Sequence, residues 1–200
     1  MQTKRFFWYL ASVTVVLATW CGADAGPLDT PGAPQVLACS ACHGLGGNSP
    51  GNTVPILAGM APEYFKKAIQ EYAEGKRQSP EMEPYAKMVL HFGVEDAARY
   101  FASQTPKSTP IKGDPAAVSR GKAAAPLCAA CHGENGEGDP DKLIPSLRGQ
   151  PPGYLKSQML LFKEQKRNIS DQSVTIMKTF MKLISDRTID DLAAYYSSLR

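Results

Sequence analysis

Two short segments of this chain carry residue types and spacings that could do chemistry. Cys39-Ser40-Ala41-Cys42-His43 and Cys128-Ala129-Ala130-Cys131-His132 each hold two thiols three positions apart, with an imidazole directly after the second. On a turn of helix, two such thiols can each form a thioether to one of a porphyrin's two vinyl groups. The adjacent histidine then projects a ring nitrogen at the iron. This is the C-x-x-C-H pattern of covalent haem attachment. Other uses of paired cysteines fit less well. A zinc site needs all four thiolates to converge, yet 85 residues lie between the pairs. A thioredoxin-like motif wants a βαβ setting, for which the sequence offers no strands.

The motifs sit at matching places in an internal repeat. Cys42-His43-Gly44 returns as Cys131-His132-Gly133 at an offset of 89, and Pro55, Leu57 and Gly59 return as Pro145, Leu147 and Gly149 at 90. Pro62, Tyr64 and Arg77 recur as Pro152, Tyr154 and Arg167 at that same offset, and Ala98-Arg99-Tyr100-Phe101 as Ala193-Ala194-Tyr195-Tyr196 at 95. Two copies of a domain of about 80 residues follow, over 26–105 and 114–200, joined by a proline-containing linker at 106–113.

The repeat also selects a sixth ligand for each iron. A soft thioether opposite histidine suits an electron carrier. Of the methionines after the N-terminal segment, only Met82 and Met177 correspond, each 18 residues before the equivalent tyrosines Tyr100 and Tyr195. Met60, Met88, Met159 and Met181 have no counterpart and read as core fillers. The ligand set is therefore Cys39, Cys42, His43 and Met82 for one haem c, and Cys128, Cys131, His132 and Met177 for the other. His91, the one histidine outside the motifs, is the rival to Met82; Asp186 occupies its place in the second copy. The carbonyls of Pro55 and Pro145 are candidates to orient the axial histidines. Tyr64, Tyr154, Arg77 and Arg167 are candidates to bond haem propionates, the alternative being ordinary helix surface.

The elements that must position these residues read as helical. Thr30-Pro31 and Asp114-Pro115 look like capped starts of helices running into the cysteine motifs. Second helices begin near Pro62 and Pro152. Last helices show Val94, Ala97, Ala98, Phe101 and Ile189, Leu192, Ala193, Tyr196 at the spacing of one helical face. The expected class is all-α: two tandem domains, each a small helical fold packed around a covalent haem. Three short helices in about 80 residues bury little core, so a large apolar cofactor would act as the staple.

Export is the expected context. Lys4 and Arg5, the apolar Phe6–Trp20 stretch of fifteen residues and Ala23-Asp24-Ala25 have the layout of a signal peptide over 1–25. The alternative is an uncleaved anchor that ties the protein to the membrane. From residue 26 onward the charges nearly balance, which argues against a nucleic-acid binder. They are unevenly placed: residues 26–105 hold six basic and eight acidic side chains, and 106–200 hold fourteen and ten.

The chain resembles the cytochrome c4 family of diheme class I cytochromes across residues 36–200. The resemblance rests on Cys39-Ser-Ala-Cys-His-Gly44, Cys128-Ala-Ala-Cys-His-Gly133, the Pro-x-Leu-x-Gly segments, the second helices led by Tyr64 and Tyr154, and the Ala194-Tyr-Tyr-Ser-Ser-Leu199 ending. It implies a periplasmic electron carrier with two haems in pseudo-twofold domains, and axial methionines at Met82 and Met177. It also implies shuttling between a dehydrogenase or quinol-oxidising complex and a terminal oxidase. Two departures stand out: Met60 where the family has Gln, as Gln150 does in the second copy, and His91-Phe92-Gly93 where the second copy keeps Ile184-Ser185-Asp186. The rival functions are a haem-bearing subunit fixed in a membrane dehydrogenase or oxidase complex, and a diheme peroxidase.

Overall fold

The computed structural model describes residues 27–168 and 172–200, so the signal-peptide reading of 1–25 lies outside the described residues. The first domain runs α1 (Ala33–His43), α2 (Pro62–Ala73), α3 (Met82–Phe92) and α4 (Val94–Ser103). The second runs α5 (Pro115–Ala124), α6 (Pro126–His132), α7 (Pro152–Lys163), α8 (Gln172–Lys182) and α9 (Asp186–Ser198). No β-strand occurs among the described residues, and the all-α expectation holds.

Side-chain caps open two of the helices, and one expected cap fails. The Asp114 carboxylate caps α5 by accepting from the Ala117 amide at 3.0 Å, and Ser185 caps α9 through Thr188. Thr30 caps nothing: α1 begins two residues past the expected proline, after Gly32. The motif helix is continuous in the first domain and split in the second. Pro126 lacks the N–H that would continue α5, so the helix breaks at Ala125 and restarts as α6. The helix before the last in each domain, α3 and α8, escaped the pattern reading. Pro84 inside the first turn of α3 looks like a breaker, but it is tolerated there because that N–H has no helical partner.

A single helix crossing frames each domain. Gly32 meets α4 where an added Cβ would lie 2.8 Å from the Asp96 carbonyl oxygen. Gly121 meets α9 where it would lie 2.0 Å from that of Asp191. The two glycines stand seven residues before Cys39 and Cys128, and Asp96 and Asp191 are repeat equivalents, so this is one crossing built twice. The cores lie beside it. In the first domain they include Val36, Phe65, Ile69, Val89, Tyr100 and Phe101; in the second, Leu155, Leu192, Tyr196, Met181 and Ile189.

The segment between the domains is fastened to both. Asn48 Nδ2 donates to the Thr105 carbonyl, the Lys107 amide donates to Asn48 Oδ1, the Thr109 amide to the Gly149 carbonyl, and Ser108 Oγ to the Leu199 carbonyl. At the interface the backbone of Arg77 pairs antiparallel with that of Arg167, its own repeat equivalent. A residue that pairs with its equivalent marks a local twofold relation. Among the described residues no helix is long and apolar enough to cross a membrane.

The crossing has a sharp steric limit. Gly121→Ala should destabilise the second domain by about 1–3 kcal/mol, since the methyl must push α5 off α9. Gly51→Ala, whose added carbon meets nothing nearer than 3.6 Å, should stay within about 0.5 kcal/mol. Thermal unfolding followed by circular dichroism separates the two.

Candidate haem-binding sites

Each motif helix ends at its histidine for a backbone reason. Gly44 and Gly133 follow directly with φ of 73° and 79°, a region open to glycine. At Gly44 a Cβ would stand 2.4 Å from the Asn48 carbonyl oxygen, so the chain can turn away under the imidazole only because no side chain is there. The first cysteine of each pair, Cys39 and Cys128, is half-buried, and the second, Cys42 and Cys131, is exposed; no disulfide joins them. Burial pushes the Cys39 and Cys128 thiols above their ordinary range. A low-pKa redox thiolate has the opposite signature.

The histidines are held as expected from their proline partners. His43 Nδ1 lies 2.8 Å from the Pro55 carbonyl oxygen, and His132 Nδ1 lies 3.1 Å from that of Pro145. A proton on Nδ1 donated to that carbonyl leaves the Nε2 lone pair for a metal. Burial pushes both imidazole pKa values below the usual range, with the carbonyls partly opposing it. Both rings therefore favour the neutral form that ligates.

Each set borders its own cavity. The first, about 470 Å³, is lined by Cys39, Cys42, His43 and Met82 with Leu57, Phe65, Ile69 and Val89. The second, about 410 Å³, is lined by Cys128, Cys131, His132 and Met177 with Leu147, Leu155, Val174 and Leu192. These volumes fall within the roughly 300–1,000 Å³ of cofactor pockets. Apolar walls, a thiol pair, an orientable imidazole and a thioether suit a covalently held haem. An orphan adds to the fit: Arg167, which lines the second cavity, is buried with no hydrogen-bond partner for Nε.

The methionines divide less cleanly than the repeat suggests. Met82 opens α3, whereas Met177 sits in the middle of α8, which starts five residues earlier relative to it. Met181, one turn further along α8, and Met159 also line the second cavity, and Met60 lines both. Met88 lines neither. His91 is exposed against Phe92, ring centroids 4.7 Å apart, and is not among the residues lining the Met82 cavity.

Tyr64, Tyr154, Arg77 and Arg167 are not helix surface. Arg77 is 2% exposed; its Nε and Nη2 donate to Gln158 Oε1 at 3.0 and 2.7 Å, and Nη2 also donates to the Tyr154 hydroxyl at 2.7 Å. Arg167 Nη2 donates to Glu71 Oε2 at 2.9 Å, and Glu71 also pairs with Lys67. Burial would raise the Tyr64 phenol, but the Arg77 and Arg167 guanidiniums outweigh it and draw it below its ordinary value. Met60, Tyr64, Arg77, Tyr154 and Gln158 line both cavities, so one layer of side chains separates them. Sequence reading missed Gln158 and Glu71. The available signal was helical phase: Gln158 lies four residues after Tyr154, and Glu71 seven after Tyr64.

Known proteins resemble this chain in sequence and in fold. A protein-family model described as cytochrome c matches residues 118–200. Cytochrome c4 of Pseudomonas aeruginosa is 31% identical over 199 residues, which span 95% of this chain and 98% of that protein. The chain belongs to the cytochrome c4 family. The crystal structure of reduced recombinant cytochrome c4 from Pseudomonas stutzeri superposes with a TM-score of 0.77 at 30% identity, covering 84% of this chain and 97% of that one. The thiosulfate dehydrogenase electron acceptor of Thiomonas intermedia is 28% identical over 82% of this chain and 80% of its own length. Like other cytochromes c4, the chain is an electron-transfer protein that binds haem c covalently, and it is a carrier, not an enzyme.

In this member of the cytochrome c4 family the Met60/Gln150 difference has a structural consequence. Gln150 reaches across the interface, accepting from the Ile56 amide and donating to the Ile56 carbonyl, both at 2.9 Å. Ile56 follows Pro55, so a side chain of the second domain steadies the carbonyl that holds His43 in the first. Met60 cannot return the contact. Gln150→Ala should leave two polar groups of buried Ile56 unpaired and cost about 1–3 kcal/mol. Denaturant unfolding, with the two domains followed separately, should show the first domain losing stability while the second keeps it.

Proposed function

We propose that the chain carries two haem c groups and works as a periplasmic shuttle between respiratory redox proteins. Cys39 and Cys42 would hold the first haem through thioethers, with His43 and Met82 as axial ligands. Cys128, Cys131, His132 and Met177 take the same roles for the second. The support that carries this reading is the recurrence, twice in one chain, of a Cys-Cys-His set and a methionine around one apolar cavity. When bound, each haem supplies a one-electron iron couple, raised in potential by His–Met ligation.

The chain's own residues do the remaining work. The Pro55 and Pro145 carbonyls keep the Nδ1 proton in place, and the apolar walls keep water from the cavity. With His43 and Met82, and His132 and Met177, holding the two irons, no position would remain for a substrate. The same proposal takes 26–105 and 114–200 as the two haem domains, 106–113 as their link, and 1–25 as the export signal. Its donor is a dehydrogenase or quinol-oxidising complex and its acceptor a terminal oxidase; the Thiomonas relative, named as a dehydrogenase's electron acceptor, supports the donor side. The acidic first half and basic second half suit docking to different partners, because complementary charge steers encounter.

Two sets of variants test this. Protein purified from an export-competent host should carry two covalent haems per chain, and Cys128→Ser with Cys131→Ser should leave about one. Met82→Ala and Met177→Ala should each remove about half of the far-red iron–methionine band of the oxidised protein. Met181→Ala should leave the band intact and cost about 2–5 kcal/mol of stability as a core truncation; loss of the band there instead would reassign the second ligand. Lys142→Glu with Lys182→Glu should slow stopped-flow association with one redox partner and flatten its salt dependence, and unchanged rates with every partner would reject the docking claim.

A further inference from the structure

The two halves of the interface are built from equivalent positions, yet their charges are satisfied differently. Arg77 and Arg167 are repeat equivalents, paired backbone to backbone and both buried. Arg167 has a carboxylate, Glu71, at 2.9 Å. Arg77 has none among the described residues: what reaches its guanidinium is the Gln158 amide oxygen, the Tyr154 and Tyr64 hydroxyls, the last at 3.4 Å, and the face of the Tyr72 ring, whose centroid is 4.7 Å away. The cause is local sequence. Helix α2 offers Glu71 where α7 has Leu161, and α7 offers Gln158 where α2 has Ala68. Each arginine is contacted by the opposite domain's helix, so one meets an anion and the other a neutral amide.

A guanidinium does not shed its proton inside a protein. A buried cation without a counter-charge is costly, and removing the partner of a buried ion destabilises strongly. Arg77 also occupies the layer that lines both cavities, while Arg167 lines only the second. The haem c group that these cavities fit carries two propionate carboxylates.

We propose that Arg77 is the propionate receptor of the domain interface, its positive charge left open for the haem carboxylates by Gln158. Arg167, whose charge is met by Glu71, is chiefly the structural strut opposite, with its buried Nε still free to donate to a haem carboxylate. This rests on the haem-binding reading above and adds to it a direction. A cation that offsets the haem carboxylates favours the reduced iron, so Arg77 holds both midpoint potentials up. Glu71 restrains the second, because the cations it faces, Arg167 and Lys67, line the second cavity alone.

The test is a pair of near-isosteric charge changes in the full-length haem-loaded protein, read by spectroelectrochemical titration at pH 7 and fixed ionic strength. Gln158→Glu gives Arg77 the carboxylate it lacks and should shift both midpoints downward. Glu71→Gln frees the cations near the second cavity and should shift the second midpoint upward, with the first moving less. Arg77→Gln should shift both downward if it folds; the other two variants keep the test decisive if it does not. Two covalent haems with midpoints unmoved by both Gln158→Glu and Glu71→Gln, or moved the same way by both, would overturn the proposal and leave Arg77 a strut like Arg167. Absence of covalent haem in the unmodified protein would instead sink the haem-binding reading itself.

Discussion

A domain of about 80 residues has too little apolar surface to close a core upon itself, and most of what is particular about this structure follows from that shortage. The helices of each half do not converge on a shared centre. They stand as walls, with Phe65, Ile69 and Val89 on one side of a cavity and the cysteine motif on another. What fixes the walls is the crossing of first and last helices at Gly32–Asp96 and again at Gly121–Asp191, where backbone approaches backbone because glycine carries nothing to hold it off. A close crossing at one edge and a cavity at the other are complementary: the first supplies rigidity where the second gives up protein-to-protein contact.

Duplication then lets each half complete the other. The carbonyl that orients His43 belongs to a loop steadied from the second domain by Gln150. The guanidinium of Arg77 is received by α7 of the opposite half, and that of Arg167 by α2. Strict repetition would have made these contacts reciprocal. Their divergence did not: Met60 faces Gln150 in the alignment, Ala68 faces Gln158, Glu71 faces Leu161, and Phe101 faces Tyr196, whose hydroxyl sits beside the Cys128 thiol. The two cavities share a frame but differ in polarity along their common wall.

Much of this was legible before any coordinates. The motifs, the repeat and the proline carbonyls behind the histidines depend on short spacings, and short spacings survive folding with little change. The second and last helices were legible because their buried faces are periodic. Other features failed for physical reasons. Thr30 looked like a cap, but the Gly32 crossing overrides local preference and delays α1. Pro84 hid α3, since a proline in a first turn and a proline that ends a helix read alike. The interface was harder still. Arg77, Glu71 and Gln158 are polar residues on amphipathic helices, and a sequence does not say that their solvent is a second copy of the same fold.

The shifted α8 shows how positions that correspond in a sequence repeat can differ in local structure. Alignment by the tyrosines of the last helix pairs Met82 with Met177, yet one opens its helix and the other lies within it. Three residues added at the front of α9 relative to α4 carry the chain back, and α8 ends before Leu183 where α3 runs on to Phe92. Helical phase then brings Met181 to the same cavity as Met177, one turn away. Burial distinguishes them: Met181 is buried in a core cluster with Ile184 and Ile189, whereas Met177 packs partly buried against that cluster, and both line the cavity. A thioether that is already enclosed by aliphatic neighbours has less freedom to turn its sulfur toward a metal than one at the cavity wall. The shift therefore sets Met177 in a local geometry different from that of Met82.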